Sequence, residues 1–181
     1  MSHHAHFPVA GAALAALVLL GAGDPSIDPS KSTLIATFRQ EKVPVDAPFK
    51  RFSGHIQYDS AQPSAARAMI QVQTGSFDMG SADYNAEVAD KSWLDSKSYP
   101  TASFVSTAIK SEGTGKLEAT GTLTLKGRMQ TLTVPVSVGM LGTAMTFDGA
   151  FVISRKVFGI GTPDWNDVLD DAVRVRFHLV E

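Results

Sequence analysis

The chain has 181 residues, 44% hydrophobic and 19% charged, enough apolar material for one buried core and too much for a disordered chain. Lys plus Arg number 16 and Asp plus Glu 18, so the net charge of -2 offers no cationic excess for a nucleic-acid partner. The absence of Cys excludes disulfides, thiolate metal sites, iron–sulfur clusters and cysteine nucleophiles together.

Residues 1–23 carry no Lys, Arg, Asp or Glu, and Val9 to Ala22 is a run of Ala, Leu, Val and Gly. A helix needs about 20 such residues to span a bilayer, so the run suits the apolar region of a secretory signal peptide. Gly21-Ala22-Gly23 supplies small residues for cleavage after Ala22 or Gly23, and His3, His4 and His6 stand where Lys or Arg is usual. The competing reading is an uncleaved anchor or a buried N-terminal helix. The expectation is a signal peptide over 1–23, one domain over 24–181, and a periplasmic or secreted location.

Period-two alternation dominates the remainder. Strands are predicted at Thr33 to Gln40, Phe49 to Tyr58 and Ala66 to Thr74. Ala82 to Leu94 is the one segment that reads as a helix, capped by Ser81 or Asp83, with Glu87 and Lys91 spaced for an ion pair. A fourth strand covers Thr101 to Ile109. From Lys116 to Lys126, Leu117, Ala119, Gly121, Leu123 and Leu125 alternate with polar residues, and after a turn Leu132, Val134, Val136 and Val138 do the same. Pro135 marks a free N–H side or an irregularity in that strand. Met145 to Ile153 and Val173 to Leu179 complete eight strands.

Eight antiparallel strands leave a sandwich and a closed barrel open, and closure would remove the exposed edges. The apolar faces are rich in small residues: Ala36, Gly54, Ala66, Ala68, Ala102, Ala108, Ala119, Gly121 and Gly149. A solid core would need bulkier side chains there to reach normal packing density, so the interior is expected to be hollow.

Catalytic patterns fail in turn. There is no G-x-S-x-G elbow and no phosphate-cradling G-x-x-x-x-G-K. Gly159-Ile160-Gly161 lacks the third glycine of a dinucleotide turn and reads as a bend. Asp164, Asn166, Asp167, Asp170 and Asp171 invite calcium, but Val168 and Leu169 break the EF-hand spacing, leaving a solvated acidic loop. His55 and His178 fall on polar strand faces. No catalytic residue, metal site or cofactor is expected.

The ordered series Phe49-Lys-Arg-Phe-Ser-Gly-His-Ile-Gln-Tyr-Asp59, Asp83-Tyr-Asn-Ala-Glu-Val-Ala-Asp90 and Trp93-Leu-Asp-Ser-Lys-Ser-Tyr-Pro-Thr-Ala-Ser-Phe104 resembles the YceI-like family. Gly121-Thr-Leu-Thr-Leu-Lys-Gly127, Val134-Pro-Val136, Phe158-Gly-Ile-Gly161 and Val173-Arg-Val-Arg-Phe177 continue it. The resemblance covers nearly all of Ile27 to Glu181. It implies a lipocalin-like antiparallel β-barrel of eight strands, with the helix between strands 3 and 4, and a long apolar tunnel. It also implies a periplasmic or secreted protein that binds an isoprenoid chain, a quinone tail or another long-chain amphiphile. Many members carry a His within the helix, where this chain has Val88-Ala89.

The resulting expectation is non-catalytic binding, sequestration or transport of such a lipid. The tunnel candidates are Phe38, Phe52, Ile56, Phe104, Leu123, Val136, Phe147 and Phe151, for which core packing is the alternative. Trp93 either closes over the tail or anchors the helix to the barrel wall, and Phe158 is placed at an entrance. Arg51 and Arg155 are head-group candidates among the basic residues near strand ends. Two other readings stay open: an accessory protein presenting a quinone-like molecule to a membrane redox protein, and a stress-related protein without a ligand. Monomer and homodimer are both open.

Overall fold

The computed structural model describes residues 26–181, so the expected signal peptide lies outside the described residues. The strands are β1 (Thr33–Gln40), β2 (Val43–Pro48), β3 (Phe52–Gln57), β4 (Arg67–Gln73), β5 (Thr101–Ser111), β6 (Lys116–Leu125), β7 (Arg128–Leu141), β8 (Ala144–Ser154) and β9 (Ala172–Val180). One helix, α1 (Ala82–Ala89), lies between β4 and β5. All nine strands pair antiparallel in one sheet, ordered β2-β1-β9-β8-β7-β6-β5-β4-β3. No ladder joins β2 to β3, so the sheet is a strongly curled half-barrel and not the closed eight-stranded barrel expected.

The additional strand is β2. Its sequence, Val-Pro-Val-Asp-Ala-Pro, alternates Val43, Val45 and Ala47 with two prolines and Asp46, and the prolines mask the short period-two pattern. Proline is tolerated because β2 is an edge strand whose ladder runs along β1 alone. Glu41 and Lys42, with φ of 49° and 68°, make the two-residue turn between β1 and β2.

β2 and β3 are consecutive in the chain yet occupy opposite edges, with only residues 49–51 between them. The edges therefore come close, and two segments outside the sheet fill the seam. At one end the Asp78 amide donates to the Pro48 carbonyl at 2.9 Å and the Lys50 amide to the Ser76 carbonyl at 3.0 Å. Phe77 packs against Phe49 there at a tilt of 52°, with ring centroids 4.8 Å apart. At the other end the Ile27 amide donates to the Gly54 carbonyl of β3 at 3.0 Å, and the Asp28 amide to the Val180 carbonyl of β9 at 2.6 Å. Ile27 is buried between the two.

This strap is expected to respond to pH. The Asp28 carboxylate accepts from the Ser30 hydroxyl at 2.6 Å and pairs with Lys31 at 3.1 Å, which brings its pKa from 3.8 to about 2. A folded-state pKa below the unfolded one contributes stability above about pH 4 that is lost as pH falls through about 2. The Ile27 and Asp28 amides should lose protection against hydrogen exchange, relative to amides of β6 and β7, across that interval. Asp28→Asn should abolish the pH dependence.

The best-patterned strands form as expected. Leu117, Ala119 and Gly121 of β6 oppose Val136, Val134 and Leu132 of β7. Their turn consists of Lys126 and Gly127, both with positive φ. Pro135 lies one residue before the β7–β8 ladder starts at Val136 and Gly149. In β5 the register shifts between Ser106 and Ala108. That bulge moves the inward face from Ala102 and Phe104 to Ile109 and leaves Ala108 exposed, against expectation.

Two glycines expected on a merely small face have a more specific role. A Cβ on Gly121 would stand 2.5 Å from the Phe104 ring and 2.5 Å from the Val105 carbonyl oxygen, and one on Gly149 would strike the Phe177 ring. Each glycine lets an aromatic ring from the neighbouring strand lie flat over its backbone, which permits the tight curl. Gly121→Ala should cost about 1–3 kcal/mol, because the carbonyl cannot rotate away as a side chain would. Thermal melting of that variant beside Gly139→Ala, whose nearest obstacle is the Thr146 hydroxyl at 2.8 Å, tests this.

The helix ends at Ala89, five residues before the expected Leu94, and none of its residues is buried. Glu87 and Lys91 do not pair, because Lys91 lies beyond the helix. Ser81 makes no side-chain cap. Asn85 ties α1 down instead, its Oδ1 accepting from the Met79 amide at 2.6 Å and its Nδ2 donating to Asp78 at 3.1 Å. Leu94 is buried and anchors the following turn.

Candidate functional site

The inward-facing side chains of all nine strands surround a cavity of about 580 Å³, lined almost wholly by apolar atoms. The volume lies within the range typical of small-molecule pockets. Small residues make the room: Ala36, Ala66, Ala68, Ala102 and Ala119 all line it. Apolar area left facing an interior void gains nothing from packing, so the void is a feature the sequence maintains at a cost in stability.

The cavity has unlike ends. At one, Gln40, Tyr84, Glu87 and Asp170 are exposed and form a mouth beneath α1 and the loop joining β8 to β9. At the other, Ala66, Ile109, Leu117 and Ala119 are all buried and cluster into a floor, with Tyr58 packed against it. The floor is backed by the short turn Pro63–Ala65 between β3 and β4.

Eight of the ten apolar residues singled out from the sequence line this cavity: Phe38, Ile56, Trp93, Phe104, Leu123, Val136, Phe147 and Phe151. Phe52 does not. It is buried among Ile27, Leu34 and Ile56, beneath the seam. Phe158 is fully buried in the cluster of Leu125, Leu132 and Ile153, so it is a core anchor rather than an entrance. Trp93 belongs to the turn after α1. Its ring meets Trp165 edge-on at 5.3 Å, and both line the mouth end of the cavity.

The head-group candidates separate sharply. Arg51 is exposed and lies outside the lining. Arg155 lines the cavity at 3% exposure, without a carboxylate partner among the described residues. Carbonyls hold it instead. Its Nε donates to Asp170 at 3.1 Å and its Nη1 to Ile160 at 3.0 Å. Its Nη2 donates to Leu169 at 3.1 Å and to the Asn166 side chain at 3.1 Å. Gly161, with φ of 82°, passes close by, and a Cβ there would stand 2.8 Å from Nη1. The guanidinium thereby organises the whole loop from Ile160 to Asp170 that forms one side of the mouth.

The acidic loop serves the same structure. The Asp171 carboxylate accepts from the Ser154 hydroxyl at 2.7 Å and from the Lys156 amide at 3.0 Å, fixing the turn after β8. Lys126 donates to the carbonyls of Lys91 and Gly159, both at 2.8 Å, joining the turn after α1 to the turn after β8. Burial lowers its pKa. Among the described residues no group of three His, Cys, Asp or Glu could hold a metal ion, and no helix is long and apolar enough to cross a membrane.

Several lining residues escaped the sequence reading. Val45 sits on the proline-rich edge strand. Phe77, Tyr84, Trp165 and Leu169 come from α1 and the connecting segments, where no strand period exists to mark an inward face. An aromatic in an otherwise acidic loop was the available signal for Trp165.

A YceI-like domain matches residues 26–180. The crystal structure of Burkholderia cenocepacia BcnA superposes with a TM-score of 0.82 at 42% identity, over 86% of this chain and 99% of that one. A domain of Saccharophagus degradans described as polyisoprenoid binding superposes with a TM-score of 0.70 at 17% identity, over 86% and 95% of the two chains, a likeness of fold. A UPF0312 protein of Pseudomonas putida strain W619 is 38% identical over 121 residues, spanning 64% of this chain and 63% of the relative's length. One from Shewanella baltica is 31% identical over 159 residues, 83% of each. With the match running through every strand, the chain belongs to the YceI-like domain family.

Proposed function

We propose that this protein binds a long-chain amphiphile of isoprenoid type and sequesters or carries it, without catalysis, in the periplasm after removal of residues 1–23. The observation that carries this reading is the apolar cavity, open at one end and ringed by all nine strands. Burying a tail there is worth up to roughly 0.8 kcal/mol per CH₂-sized group. Lost translational and chain freedom offsets part of that, so a flexible tail needs many contacts and few polar ones. The polyisoprenoid binding described for the Saccharophagus degradans domain agrees with such a cargo.

The mouth favours an uncharged head. Among the described residues the charged side chains of the lining are Glu87, Asp170 and Arg155. Arg155 already makes five hydrogen bonds and has no free two-donor fork for a phosphate, while the two carboxylates would repel one. A quinone-like or alcohol head fits this rim better than a prenyl phosphate. It also keeps the second reading in play, that of a protein presenting a quinone-like molecule to a membrane redox partner.

Native mass spectrometry of the protein purified from its own organism, followed by lipid identification, tests the proposal. The expected result is a near-stoichiometric long-chain lipid with a neutral head. Protein that is ligand-free, and that also fails to take up a prenyl alcohol, would refute it.

A further inference from the structure

We infer that the cavity measures the tail, and that the buried floor of Ala66, Ile109, Leu117 and Ala119 sets the length accepted. The inference rests on the binding reading above and adds a chain-length specificity to it.

The lumen is long as well as apolar. On β6 alone Leu117, Ala119, Leu123 and Leu125 line it. At about 3.4 Å per residue, that stretch is about 27 Å long. Strands in curled sheets tilt by about 35–45°, so the span along the cavity axis is about 19–22 Å. An extended carbon chain advances about 1.2 Å per bond, as an extended peptide does, which gives about 4.7 Å for the four main-chain bonds of an isoprene unit. The lumen therefore accepts about four to five units before the tail meets the floor.

The floor is suited to being a stop. Its four residues are each less than 10% exposed and form a cluster of their own, separate from the two larger clusters around the lumen. Ala66 follows the turn that closes this end, and Arg67 fixes that turn by donating to the Ala66 carbonyl at 2.7 Å. Two of the four floor residues are alanines, so each added carbon there removes lumen directly. A polar head stays at the mouth, where the polar lining residues Tyr84, Glu87 and Asp170 are, because the lumen beyond is apolar, and so it cannot advance to compensate.

Binding of prenyl alcohols of two to nine units, measured by competition with a fluorescent fatty acid, tests the ruler. In the unmodified protein Kd should fall at least about tenfold per added unit up to four to five units, then change less than about twofold per unit. Ala119→Leu should move the break to shorter tails by about one unit, and Leu117→Ala should move it to longer ones. Ala66→Val carries the same expectation as Ala119→Leu should that variant fail to fold. A break that stays in place in both directions, or affinity that keeps rising to nine units, would overturn the ruler while leaving the carrier intact. Absence of binding at every length would overturn both.

Discussion

Arg155→Ala is expected to destabilise the protein by about 3–5 kcal/mol. The reason is the company the guanidinium keeps. It is almost fully buried and satisfies the carbonyls of Ile160, Leu169 and Asp170 together with the Asn166 side chain. Alanine would leave those acceptors in a water-poor site without donors, at about 1–3 kcal/mol for each that finds no replacement. Water entering from the mouth would recover part of this. For a domain of this size the melting temperature should fall by about 10 °C or more. Arg155→Lys should recover less than half of the loss, because an ammonium has three donors at one point and cannot span carbonyls on both sides of a planar fork. A residue held for ligand recognition instead would behave differently, losing cargo at unchanged stability. Comparing melting curves with lipid occupancy for both variants separates the two roles.

Val136→Asp should expel the cargo while the sheet persists. Val136 sits on β7 opposite Leu117 and Gly149, faces the lumen, and is only partly buried, so the empty protein can hydrate a carboxylate there. A hydrocarbon tail lying against that carboxylate would strip its water, a penalty of several kcal/mol. Affinity for a prenyl alcohol should fall by a factor of about 100 or more. Val136→Leu keeps the surface apolar and should change affinity less than about tenfold. Unchanged occupancy in the aspartate variant would place the tail elsewhere.

How far the sequence could be read follows from where water lies. Strands β6, β7 and β9 have one wet and one dry face, so alternation marks both the strand and its inward residues. β2 escaped because its alternation, Val43, Val45 and Ala47, is short and interrupted by Pro44 and Pro48, which only an edge strand tolerates. The Thr107 bulge escaped because register is settled by the partner strand, here through Ser106 and Ala108 against Gly121 and Thr120. Within the dry face, packing core and lining lumen look alike. Phe147 and Phe52 are both inward aromatics of one buried cluster, yet only Phe147 borders the void. Arg155 shows the reverse limit. Nothing in its neighbourhood in sequence distinguishes a solvated cation from one that organises a loop of carbonyls five to fifteen residues away.

The most direct measurement of the central claim is a crystal structure of the protein with a five-unit prenyl alcohol. Continuous tail density is expected from between Tyr84 and Trp165 down past Leu123 and Val136, ending at Ala119 and Ala66. Side chains collapsed into the lumen, with the alcohol absent or bound on the outer face of the sheet, would contradict it.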